Sequence, residues 1–99
     1  MSVTDHIPYA HEQMSQAVRD LACFPTSIQD RLHTAYIHRI LHLKPDQMPT
    51  EEMSQLAADL QEALDKDSLK KMSDEDASQW ADKVVDLYNL VDDHYHKRT

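Results

Sequence analysis

The chain of 99 residues contains no glycine. At average usage near 7%, a chain this long would hold roughly seven. Glycine lets the backbone take φ > 0 or approach a ligand closely. Its absence works against two-residue hairpins. It also removes the glycine-rich cradles that bind phosphates and dinucleotides. Helices joined by short loops remain.

Hydrophobic residues make up 40% and charged residues 28%. That supports a modest core and argues against wholesale disorder. A length of 99 residues predicts a single domain, 1–99. With one Trp, one Phe and four Tyr, the core must be built mainly from aliphatic residues and Met.

Four amphipathic segments carry their own start or stop signals. They predict an all-α fold, a mostly antiparallel bundle of four helices over about 8–23, 27–43, 51–65 and 74–96. In the first, Pro8 suits the start and Pro25 the stop. Ile7, Ala10, Met14, Ala17, Val18, Leu21 and Phe24 form its stripe, with Tyr9 projecting off it. The second opens on a capping box, Thr26 with Gln29 or Ser27 with Asp30. Its stripe is Ile28, Leu32, Ala35, Tyr36, Ile40 and Leu43. Ile37 and Leu41 widen that arc beyond half the circumference, more than one packed face needs.

The loop at 44–49 holds two prolines and is stiff, with Met48 expected exposed as a contact residue. Thr50 caps the third helix, and Glu51 and Glu52 in its first turn suit the dipole. Residues 66–72 read as a connector, with Leu69 and Met72 tucked against the core. Ser73 and Asp76 open the last helix, and Lys97 and Arg98 suit its C-terminal end. Its inner face runs Ala77, Trp80, Ala81, Val84, Leu87, Tyr88, Val91 and Tyr95; Val85 flanks it and Leu90 lies outside it.

The formal net charge of −8 is unevenly placed. Residues 1–49 carry four Lys/Arg against five Asp/Glu, and residues 50–99 carry six against thirteen. Such a balance argues against direct nucleic-acid binding, which needs cations on the phosphates. On the last helix, Glu75, Gln79, Asp82, Asp86, Asn89 and Asp93 form one polar row; Glu52, Asp59 and Glu62 add to it from the third. A solvated face accounts for such a row. So does a surface that covers a basic, nucleic-acid-handling partner.

His38 and His42 stand four residues apart and could face one metal ion, but two ligands fall short of the three or four a zinc site needs. They also suggest a pH-responsive element. His94 and His96 project about 200° apart on a helix. Arg39 falls inside the apolar arc of the second helix; it either pairs with a carboxylate of the last helix, Asp92 first, or extends to solvent. Cys23 is the only cysteine, which excludes an internal disulfide and, with no basic neighbour in sequence, gives no nucleophile signature. No apolar run approaches a membrane span, and no secretory leader pattern stands at the start, so the expected location is cytoplasmic.

No catalytic pattern stands out, and no cofactor motif is present. The sequence therefore points to a small acidic protein-interaction or regulatory module rather than an enzyme. The wide arc with Ile37 and Leu41, together with Leu90, predicts a homodimer. An acidic inhibitor or antitoxin-like protein using Glu75, Asp82, Asp86 and Asp93 is the alternative. A histidine-based metal or pH sensor is a further one.

Overall fold

Each helix start with a described cap sits where a short polar side chain holds an otherwise unpaired N–H group. A computed structural model describes residues 7–23 and 27–97. The described residues form five helices and no strand: α1 (Ile7–Cys23), α2 (Ile28–His38), α3 (Glu51–Ala63), α4 (Lys66–Lys70) and α5 (Asp74–Lys97). Two 3₁₀ turns, Ile40–His42 and Pro45–Gln47, join α2 to α3. The Ser27 side chain accepts from the Asp30 N–H at 3.1 Å, and Thr50 accepts from Met53 at 3.2 Å. Ser73 accepts from Asp76 at 3.1 Å. Each such cap is worth about 1 kcal/mol. The expected roles of Phe24, Pro25, Thr26 and Arg98, and of the Cys23 side chain, lie outside the described residues.

The all-α bundle follows the predicted stripes. Ile7, Ala10, Met14, Ala17 and Leu21 of α1 are buried against Ala77, Val84, Leu87 and Val91 of α5 and the rest of one core. α1 packs along α5 and against α2, and α3 packs on α5. His11 near the start of α1 meets Asp92 near the end of α5, so the two run antiparallel. At 1.5 Å per residue the 24 residues of α5 span about 36 Å, most of the 42 Å long axis.

Four expectations are corrected. The second helix does not run to residue 43: it stops at His38, and Arg39 takes φ −127° and ψ −63°. The chain tightens into the Ile40–His42 turn, which still buries Ile40 and Leu43. The third helix closes at Ala63 rather than 65, with Leu64 as its cap. The connector at 66–72 contains the short helix α4, because Asp65 accepts the Ser68 N–H at 2.8 Å; Leu69 is buried and Met72 half-buried, as expected. Met48 is core rather than contact surface, at 9% exposure. Its N–H donates to the Pro45 carbonyl, and the turn this closes packs against α3.

The helix ends show how a chain without glycine terminates helices. Arg39, Leu64 and Lys71, which close α2, α3 and α4, all have negative φ. Backbone N–H groups at Arg39, Leu64 and Lys71 still bond back into these helices, and side chains from other elements add bonds to carbonyls at or near helix ends. Arg31 Nη1 donates to the Leu21 carbonyl in the last turn of α1 at 2.9 Å. Gln29 donates to the Met72 carbonyl just after α4, at 3.0 Å, and to the Asp74 carboxylate at 2.9 Å. Gln61 of α3 reaches the break after α2, donating to the Ile40 and Leu43 carbonyls at 2.9 and 2.8 Å.

Loss of an amide that serves two part-buried carbonyls should cost about 1–2 kcal/mol. Urea unfolding should show that loss for Gln61→Ala and less than about 0.5 kcal/mol for Gln79→Ala on the exposed face of α5. Equal effects would contradict the capping role.

Candidate functional site

α5 presents two chemically different faces. The first carries the predicted acidic row: Glu75, Gln79, Asp82, Asp86, Asn89 and Asp93 are all exposed. The structure does not leave the row flat. α3 packs beside its C-terminal half, and a groove of about 550 Å³ opens between the two helices. Glu52, Asp86 and Asp93 put three carboxylates around it, Asn89 adds an amide, and Leu56 and Leu90 supply apolar side chains. No cation lines it. The only described ion pair at the rim is Lys97 to Asp93 at 3.0 Å, with both side chains largely exposed. Such a pair is weak and easily exchanged.

Of the predicted partner-binding residues, the groove collects Asp86, Leu90 and Asp93 and leaves Glu75 and Asp82 outside its lining. Leu90 is not a lone exposed residue outside the apolar face: it is half-buried against the core because α3 covers that side of α5. Glu52 and Leu56 complete the groove from α3. Spacing alone did not show that these two turns face α5. Ile37 and Leu41 are exposed, at 40% and 47%. A smaller hollow of about 290 Å³ between α2 and α4 mixes Asp30 with Lys70 and has no single charge character.

The second face meets α1. His11 Nε2 lies 2.7 Å from Asp92 Oδ1, and His96 Nε2 lies 3.2 Å from the same oxygen. Asp92 and His96 are one helical turn apart, which puts them on one side of α5. His11 comes from the flank of the α1 stripe. Its ring stacks on Tyr95 at 4.1 Å between centroids and 6° between planes. His96 stands edge-on to His11 at 5.9 Å and to Tyr95 at 5.5 Å. The His11 hydrogen bond, reinforced by the positive charge of a protonated His96 or His11, outweighs partial burial and holds the Asp92 carboxyl below its ordinary 3.8.

Two expected contacts are replaced. Arg39 does not pair with Asp92. Its Nε lies 3.6 Å from Asp20 Oδ2 of α1, beyond hydrogen-bond distance, and is shielded from water without a hydrogen-bond partner. The wheel that aimed Arg39 at α5 assumed a continuous helix, and the break at Arg39 turns the side chain toward α1. The same break splits the His38–His42 pair. His38 ends α2 and His42 lies in the 3₁₀ turn, both exposed, so the spacing of one helical turn no longer applies. Among the described residues, the histidines that converge with a carboxylate are His11 and His96, their ligand atoms and that of Asp92 all within 4.8 Å. The i,i+4 spacing of Asp92 and His96 was visible in the sequence; the 81-residue separation of His11 from Asp92 hid the third member.

Comparison with protein-family models, with curated proteins and with solved structures finds no match.

Because the folded state favours ionised Asp92, its contribution to stability is present above the unfolded carboxyl pKa of about 3.9. It is lost as pH falls through the lower folded value. A ¹³C carboxyl titration should place the Asp92 midpoint below 3.8, and His11→Ala should move it upward. An unchanged midpoint in the variant would contradict the His11 assignment.

Proposed function

We propose that this chain is a protein-binding module whose groove between α3 and α5 takes a cationic amphipathic segment of a partner protein. The observation that carries this reading is the groove lining: three carboxylates and two leucines, with no cation among the described lining residues. A helix bearing Lys or Arg on one side and an apolar anchor on the other meets both parts. The carboxylates steer and orient it, and burial of its anchor against Leu56 and Leu90 supplies non-directional affinity. The net charge of −8 adds long-range attraction for such a partner. Nothing in this reading requires catalysis. A cytoplasmic location belongs to the same proposal, with the single cysteine as its support.

Self-association is the second reading, favoured by one observation. Ile37 and Leu41 remain exposed at the end of α2 and in the turn after it. A second copy of this chain is the occupant that reading commits to, so it bears on a surface separate from the groove.

A synthetic amphipathic peptide with lysines on one face and leucines on the other probes the first reading. Its affinity should fall at least about tenfold as NaCl rises from about 50 to about 300 mM. Asp86→Lys with Asp93→Lys should abolish binding. Salt-independent binding, or full affinity in the charge-reversed variant, would overturn the groove assignment. Sedimentation tests the second reading: a dimer at tens of micromolar that Ile37→Glu with Leu41→Glu dissociates supports it. A monomer of 11.5 kDa across that range counts against it.

A further inference from the structure

We infer that His11, Asp92 and His96 form a binding site for a divalent transition-metal ion, with Zn²⁺ as the ion it fits best. Three donors of the right type meet here: two imidazole nitrogens and one carboxylate oxygen, all within 4.8 Å of one another. Zinc takes these ligands at about 2.0–2.1 Å in tetrahedral geometry. Ligand atoms around such an ion stand about 3.4 Å apart, the edge of that tetrahedron. The two edges at Asp92 Oδ1 measure 2.7 Å to His11 and 3.2 Å to His96. Both edges fall short of that separation by less than about 1 Å, so each imidazole draws back slightly from Asp92 to admit an ion, while the third edge, His11 to His96, lies within 4.8 Å. The ion replaces the two close nitrogen–oxygen contacts with two nitrogen–metal bonds and one oxygen–metal bond. Each Nε2 must then present its lone pair, which places the ring proton on Nδ1.

The surroundings orient the three ligands. Both imidazole Nε2 atoms converge on one carboxylate oxygen, so all three potential ligand atoms face one point. The rings are also held in position. Tyr95 stacks flat on His11, and His96 stands edge-on to both. Oriented ligands of this kind are what raises metal affinity. Three protein ligands leave the fourth zinc position to water. His96 is largely exposed, so the site opens to solvent. His11 comes from α1 and the other two ligands from α5, so the bound ion would tie the start of the first helix to the end of the last.

The inference is independent of the α3–α5 groove, whose lining contains none of the three ligands. It also moves the metal candidate away from His38 and His42.

The test titrates the full chain with Zn²⁺ by calorimetry and follows Co²⁺ by its visible ligand-field absorption. One ion should bind per chain with micromolar or tighter affinity and raise the melting temperature. His96→Ala, at an exposed position that leaves folding intact, should weaken binding at least about tenfold and remove the thermal shift. His11→Ala should do the same. His38→Ala with His42→Ala should leave both unchanged. Absence of binding below millimolar Zn²⁺ would overturn the site, and so would full affinity in His96→Ala.

Discussion

The fold depends on side chains that tie helix ends and turns to neighbouring elements. A helix commonly ends on a glycine at positive φ, which lets the chain turn back and pair its last carbonyls. This chain has no glycine, and the caps that close α2, α3 and α4 keep negative φ. Backbone N–H groups still close these ends, and side chains add bonds from outside: Arg31 at the end of α1, Gln61 at the turn after α2 and Gln29 after α4. Each bond joins two elements, so ending a helix and docking its neighbour become one event. The Gln61 amide is the clearest case: it fixes α3 against the turn that buries Ile40 and Leu43.

Helix packing also shapes two chemically distinct surfaces. Where α3 packs beside α5, the exposed acidic row borders a groove that Leu56 and Leu90 also line. On the other side, the packing of α1 along α5 brings His11 to Asp92 and His96. One long helix thus serves two surfaces of opposite chemical character. The side toward α3 carries carboxylates and leucines, and the side toward α1 carries two imidazoles beside a carboxylate.

Much of this was legible in the sequence where the signals are local. The 3.6-residue stripes, the Ser27, Thr50 and Ser73 caps and the acidic first turns of α3 and α5 depend on neighbours a few residues away. What was hidden is long-range. The periodicity of the second helix continues past Arg39 because Ile40 and Leu43 are buried either way, so it could not reveal a break stabilised by Gln61 from another helix. The partner of Arg39 then changed from Asp92 to Asp20, and His38 lost its relation to His42. Met48 looked exposed because a proline loop usually is, yet the turn before it folds the side chain into the core. Leu90 looked isolated because a wheel for α5 alone does not include α3.

The claim that side-chain amides tie these helix ends to their neighbours is tested most directly by proton exchange at the amides themselves. NMR measurement of side-chain NH₂ exchange should find Gln61 and Gln29 slowed well below Gln79, which is exposed on α5. Exchange of Gln61 and Gln29 as fast as Gln79 would show that these bonds do not persist, and would contradict the account.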